Sequence, residues 1–243
     1  MHSEHGLPSL EDSSYELGLT DPPYNLGFKG IPSSKNEIWL KNQRTKKIWY
    51  DDKMSESDYF NWCFSWFEQL KRVSQFIIFT PGYKNFKKWL FQYPELEFGV
   101  FTRRTAQGGC PIASFRRFEP YFVWNIQQIR KLHNRLKIAW INIKQIVTQQ
   151  NCLEYIHPCP KPFELWDRFI TELKPVSVID PFLGSGTTAE VCEYLGIRWL
   201  GFEKEERYAP DIEKRVKNGQ KKRNVQKLER FLKPCELEKI NQY

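Results

Sequence analysis

Residues 178–188 read Val178-Ile179-Asp180-Pro181-Phe182-Leu183-Gly184-Ser185-Gly186-Thr187-Thr188. A β-branched run ends on an acid, a glycine-rich turn follows, and hydroxyl residues open a helix expected over about 188–195. Small residues at such a strand-to-helix turn let a ligand touch backbone amides closely. Strands are expected over Val176–Ile179 and Arg198–Phe202, which makes a β-turn-α-β unit, parallel and right-handed. Glu203 closes the second strand 19 positions after Gly184, near the spacing of ~20 at which an acid takes ribose hydroxyls in nucleoside-binding folds. The stretch predicts an α/β protein with a nucleotide-like ligand at the turn.

Three ligand classes compete for that turn. A phosphate-binding P-loop needs Lys before its Ser or Thr, whereas Gly186 is followed directly by Thr187, which disfavours a nucleoside triphosphate. A nicotinamide cofactor shares the glycine turn and the distant acid and stays open on these residues. S-adenosylmethionine carries adenosine without pyrophosphate, and a helix N-terminus with nearby hydroxyls suits its amino-acid end.

The deciding motif lies near the other end of the chain. Tyr15–Thr20 is a β-like run ending at Asp21-Pro22-Pro23-Tyr24, and the prolines forbid its continuation as strand or helix. Transfer of a methyl group to an aromatic amine requires acceptors that draw the nitrogen lone pair out of ring conjugation. The Asp21 carboxylate and the Pro22 carbonyl can each accept one N–H, and Pro22 with Pro23 stiffens the backbone. Tyr24 can stack on a base rotated out of a duplex.

Between the motifs, residues 25–54 read as a long basic loop. Ser55 caps a helix whose stripe is Tyr59, Trp62, Cys63, Trp66, Phe67 and Leu70. β-rich runs follow at 76–80, 98–102 and 120–125, then a helix at 161–173 opening near Pro162. A last helix over about 205–217 leads into a basic tail at 218–243, and the whole is one catalytic domain, 1–243. The net charge of +8 favours a polyanionic partner, most economically nucleic acid. With aromatics at 16%, the chain is expected to fold around a ring-rich core. No apolar run approaches the ~20 residues of a spanning helix. A soluble, cytoplasmic protein with no membrane partner is expected. The six cysteines, at 63, 110, 152, 159, 192 and 235, have neither disulfide-framework nor paired metal-ligand spacing. Cys152, His157 and Cys159 lack a fourth ligand, so no metal is expected.

Taken together, the motifs resemble the DNA amino-methyltransferases that act on adenine N6 or cytosine N4, in the arrangement where the catalytic tetrapeptide precedes the cofactor turn. Thr20 to Asn25 matches the catalytic motif, Asp180 to Thr188 matches the DPFxGSGTT cofactor motif, and His157-Pro158-Cys159-Pro160-Lys161-Pro162 resembles the HPTQKP segment. Gly201-Phe202-Glu203 with Tyr208 and Arg215 is similar to the ribose-binding strand and following helix. Phe115 to Tyr121 resembles an FRxxHEY-like segment. The departures are Cys159-Pro160 in place of Thr-Gln, and Phe118 with Pro120 where a polar pair and His are commoner.

The resemblance implies a Rossmann-like, S-adenosylmethionine-dependent methyltransferase fold: a seven-stranded, mostly parallel sheet with one antiparallel strand, helices on both faces and circularly rearranged motif order. It implies Asp21, Pro22, Pro23 and Tyr24 as catalytic residues. Cofactor contacts are expected from Asp180, Phe182, Gly184, Ser185, Gly186, Thr187, Glu203 and Lys161. A target-recognition element normally sits before His157, where only about 126–151 remain; limited recognition, or help from the 25–54 loop, the tail, a homodimer or a partner subunit, is expected. Arg44, Lys46, Lys47, Arg116, Arg117, Arg130, Arg135 and the 221–233 cluster are expected to meet DNA phosphates. The activity expected is site-directed adenine-N6 DNA methylation, as in restriction-modification systems, since DPPY accompanies adenine more often than cytosine. Cytosine-N4 methylation and a non-catalytic DNA-binding subunit are the alternatives.

Overall fold

The computed structural model describes residues 6–27, 53–102, 118–132 and 155–231. Its strands are β1 (Tyr15–Thr20), β2 (Ser74–Phe79), β3 (Glu97–Thr102), β4 (Phe118–Trp124), β5 (Ser177–Asp180) and β6 (Arg198–Gly201). They form one sheet in the order β3-β4-β2-β1-β5-β6. β1 pairs in parallel with β2 and β5, and β5 with β6. β4 runs against both β2 and β3. Six strands, one of them reversed, therefore lie among the described residues where the resemblance implied seven with one reversed.

The alternation of side chains along each strand divides the core into two layers. Leu17, Leu19, Phe76, Ile78 and Val178 face one side. There they pack under the helices α3 (Ile126–Leu132), α4 (Phe163–Leu173) and α5 (Thr187–Leu195). Ile77, Phe79, Phe122 and Ile179 face the other, against α1 (Glu56–Val73) and α2 (Phe86–Gln92). Helix α1 begins where the Ser55 hydroxyl accepts the Asp58 N–H at 3.1 Å, with Glu56 and Asp58 at its positive end and Lys71 and Arg72 at its negative end. Its stripe buries Tyr59, Cys63, Trp66, Phe67 and Leu70, and Trp66 meets the Phe79 ring edge-on at 5.8 Å. Ring-to-ring packing of this kind fixes the helix on the sheet beyond simple area burial.

The last helix, α6 (Ala209–Phe231), corrects the expected end near 217, because the first part of the basic tail continues it. It lies along α5, with Ile212 beside Gly186 and Gly219 against Glu190 and Glu193. A Cβ on Gly219 would collide with the Glu190 carbonyl oxygen and come within 2.8 Å of the Glu193 Cβ. Propensity alone makes Gly219→Ala stabilising by roughly 1 kcal/mol. The close approach reverses that sign. The variant is expected to lose about 1–2 kcal/mol by overpacking, read as a lower midpoint in urea; a raised midpoint would refute the close approach.

Candidate active site

The chain leaves β1 for α1 on one face and leaves β5 for α5 on the other. Neighbouring strands that hand the chain to opposite faces leave a crevice at their carboxyl ends, where ligands of open α/β sheets bind. Polar residues gather there: Thr20 at the end of β1 and Asp21 just after it, Thr80 after β2, Asp180 at the end of β5 and Glu203 just beyond β6. The Thr20 hydroxyl crosses to Asp180 Oδ1 at 2.6 Å, tying the two motifs together.

The tetrapeptide is held at several points. The Tyr59 hydroxyl donates to the Pro23 carbonyl at 2.8 Å. Asn85 Nδ2 donates to the Tyr24 carbonyl at 3.1 Å and to the Tyr59 hydroxyl at 3.0 Å. Gly82, at φ +69°, packs on Tyr24; a Cβ there would lie 2.7 Å from the ring's Cγ. Asp21 Oδ1 accepts the hydroxyls of Tyr24 and Thr80, and Oδ2 accepts the Lys161 ammonium at 2.9 Å. Burial, then the Asp21 and Glu119 charges, hold the Tyr24 hydroxyl well above its ordinary pKa, so it remains a donor. Thr80, Asn85 and Tyr59 are supporting residues that sequence reasoning missed.

Just beyond, Asn25 adopts a left-handed φ of +55°. Its side chain accepts the Met54 N–H at 2.8 Å and donates to the Met54 carbonyl at 3.2 Å. This clasp joins the two ends of the segment expected to be the basic loop.

On the cofactor side, Gly184 and Gly186 take φ of +55° and +86°, the left-handed region in which glycine alone is unstrained. Glu203 accepts the Gly184 N–H at 2.8 Å and the Glu205 N–H at 2.8 Å, leaving lone pairs on both oxygens. Phe182 packs edge-on to Trp66 at 5.2 Å. Thr187 donates to the Lys161 carbonyl at 3.1 Å. His157 covers Gly184 and meets Tyr208 at 4.7 Å between ring centroids. Its main-chain N–H donates to Asp211 Oδ2 at 2.7 Å. A cleft of about 290 Å³ is lined by Asp21, Lys161, Asp180, Phe182, Gly184 and Thr187, among others.

Burial pushes the Asp180 carboxyl up to about 6, against the lowering effect of the Thr188 and Thr20 hydroxyls and the Phe182 N–H. A carboxyl raised in the fold weighs against stability once ionised, so its favourable share is lost as pH rises from its unfolded value near ~4 through about 6. Thr188 donates to Asp180 Oδ2, and a bond to a charged acceptor is worth more than one to a neutral acid. Thr188→Val is therefore expected to cost about 2 kcal/mol at pH 7 and nearer ~1 at pH 5. Paired thermal melts check this; a cost independent of pH would break the link.

The structure does not bring every expected residue to the cleft. Arg44, Lys46, Lys47, Arg116, Arg117 and Arg135 lie outside the described residues, as does Cys152. Arg130 is exposed on α3, and that helix starts at the far edge of the sheet, where Asn125 Nδ2 donates to the Gln75 carbonyl at 2.8 Å. Because α6 runs beside α5 in the same direction, the exposed Lys221 and Lys227 also recede from the cleft. Lys227 stands ~24 Å along the helix axis from Asp211, at ~1.5 Å per residue. Among the described residues no group of three or more potential metal ligands forms, and no helix is long and apolar enough to cross a membrane.

A DNA methylase family model, covering N6 and N4 methylation, matches residues 76–214. Type II methyltransferase M2.DpnII of Streptococcus pneumoniae is 38% identical over 86% of this chain and 85% of its own length. Type II methyltransferase M.HpaI of Haemophilus parainfluenzae is 24% identical over 86% of this chain and 70% of its own. Among solved structures, the cytosine-N4-specific PvuII DNA methyltransferase superposes with a TM-score of 0.53 at 20% identity, over 90% of this chain and 89% of that one. The M1.HpyAVI complex with S-adenosylmethionine gives 0.52 at 17% identity, over 84% and 89%.

Proposed function

The chain belongs to the N6/N4 DNA methylase family, and on that footing we propose that it methylates the N6 amino group of adenine in DNA with S-adenosylmethionine as donor. The observation carrying this reading is that the Asp21 carboxylate and the Gly184–Thr187 turn line one cleft.

The residues of the turn fit the cofactor. Two left-handed glycines leave bare backbone at the cleft, and the Gly184 amide holds the Glu203 carboxylate in place beside it. Glu203 takes the ribose hydroxyls on its remaining lone pairs, and Phe182 gives an apolar wall. Gly186, Ser185, Thr187 and the buried Asp180 shape the region around the amino-acid end. When bound, the sulfonium supplies an electrophilic methyl group.

The chemistry asked of this chain is orientation and charge stabilisation. Asp21 Oδ2 and the Pro22 carbonyl accept the two N–H bonds of the target amine, turning its lone pair toward the cleft. As nitrogen gains positive charge, the carboxylate attraction strengthens, and an interaction stronger in the transition state than in the ground state is catalytic. Tyr24, backed by Gly82, is the stacking surface for the extruded base. Adenine is favoured over cytosine by resemblance, since the tetrapeptide opens with Asp and not Ser.

DNA of mixed sequence incubated with the protein and labelled S-adenosylmethionine is expected to yield labelled N6-methyldeoxyadenosine on digestion to nucleosides. Labelled N4-methylcytosine would replace the base assignment. No label in either base, together with no cofactor binding by calorimetry, would leave a non-catalytic DNA-binding subunit.

A further inference from the structure

We propose that Lys161 is a positioning residue that couples the cofactor turn to the catalytic carboxylate, its main chain anchored to one and its ammonium to the other. The inference rests on the reading of Asp21 as the acceptor of the target amine.

The main-chain anchor comes first. The Lys161 carbonyl accepts Thr187 Oγ1 at 3.1 Å and Arg215 at 3.5 Å. Arg215 is fully buried and paired at 2.6 Å with Glu190 on α5. Pro160 and Pro162 on either side restrict the backbone further. Lys161 therefore moves with the helix that opens the cofactor site.

Its side chain points the other way. The ammonium, 9% exposed, lies 2.9 Å from Asp21 Oδ2 and 3.8 Å from Glu119 Oε2. It also donates to the Tyr24 hydroxyl at 3.1 Å. An ammonium only donates, so it occupies a lone pair of that hydroxyl and leaves the tyrosine hydrogen to be directed at Asp21 Oδ1. Oδ1, which also receives Thr80, is then saturated. Oδ2 keeps a lone pair for the incoming N–H, so Lys161 selects which carboxylate oxygen meets the substrate.

Charge gives the same assignment. Asp21, Glu119 and Asp180 gather around the cleft, with His157, Cys159 and the Tyr24 hydroxyl as further titratable groups facing it. Lys161 brings one cation into contact with both Asp21 and Glu119. Replacing the ammonium by a neutral side chain leaves Asp21 and Glu119 as neighbouring negative charges, which favours protonation of one of them in that variant, and a protonated oxygen cannot accept an amine hydrogen. The ammonium contacts Asp21 and Tyr24 on the tetrapeptide side, a role distinct from the cofactor contact expected of Lys161 by resemblance.

The test compares Lys161→Met, Lys161→Arg and Asp21→Ala in the full chain, with S-adenosylmethionine and methylatable DNA. Lys161→Met is expected to bind S-adenosylmethionine within about threefold of the parent, while kcat at saturating cofactor falls about thirtyfold at pH 7. The acid limb of its kcat profile should move up by about one pH unit. Adding Glu119→Gln should return that limb toward the parent's position, and Lys161→Arg should restore much of kcat. Cofactor affinity lost with kcat and its pH profile intact would make Lys161 a cofactor ligand and overturn the proposal, as would parental behaviour in both. Should Lys161→Met not fold, Lys161→Gln takes its place, with and without Glu119→Gln: an acid limb that stays at the parent's position in Lys161→Gln overturns the proposal. Parental activity in Asp21→Ala would instead overturn the reading of the tetrapeptide.

Discussion

Asp21→Ala is expected to lower kcat about a thousandfold, the order of loss found when one preorganised transition-state contact is removed. The loop around it should stay in place. Pro23 and Tyr24 are held through their carbonyls by Tyr59 and Asn85, and neither bond involves the aspartate side chain. Cofactor affinity should change little, since the Gly184–Thr187 turn and Glu203 make their contacts without Asp21. The deletion removes one partner of the Lys161 ammonium, which keeps its contacts to Tyr24 and Glu119. Single-turnover methyl transfer with saturating S-adenosylmethionine, alongside calorimetric binding, separates the two effects. A loss that appears in KM for the cofactor and spares kcat would place Asp21 in binding and not in chemistry.

Arg215→Ala is expected to cost about 3 kcal/mol of stability, at the low end of what stranding one member of a buried ion pair costs. Glu190, 3% exposed, would retain Lys222 at 2.8 Å, which limits the damage. Arg215 also packs its guanidinium 4.3 Å from the centroid of the Tyr155 ring, so packing is lost along with charge. In a chain of this size the melting point should fall by roughly 10 °C. Replacing both partners, Glu190→Gln with Arg215→Met, should recover much of the loss because no lone charge stays buried. A double variant as unstable as Arg215→Ala would mean that the arginine acts by shape alone.

Both ends of the site were legible because each is written in contiguous residues. Pro22 and Pro23 end a strand, and Gly184 and Gly186 turn a strand into a helix; either reading needs only local chemistry. Thr80 was not legible. Thr80-Pro81-Gly82 reads as a turn, and its hydroxyl reaches Asp21 only because β1 and β2 pair Thr20 with Phe79. The reversal of β4 is similarly silent, since alternation along Phe118–Trp124 is the same in either direction. Asn218-Gly219 resembles a helix stop, yet glycine stands there because α5 passes too close for a side chain. Helix α2 has only seven residues, too few for a 3.6-residue period to declare itself. Roles that depend on what another strand brings alongside cannot be spelled locally.

The Asn25–Met54 clasp fixes where the chain leaves the tetrapeptide and where it re-enters the fold ahead of α1. The two ends meet through two hydrogen bonds beside the tetrapeptide, so a segment inserted between them returns the chain to the same place. The entropy of closing a loop grows only slowly, by about 0.6 kcal/mol for each doubling of length. Grafting a shorter or longer segment between Gly27 and Lys53 should therefore leave the amine-holding apparatus assembled. The enclosed length can then vary while the hydrogen bonds that hold Pro23 and Tyr24 stay as they are.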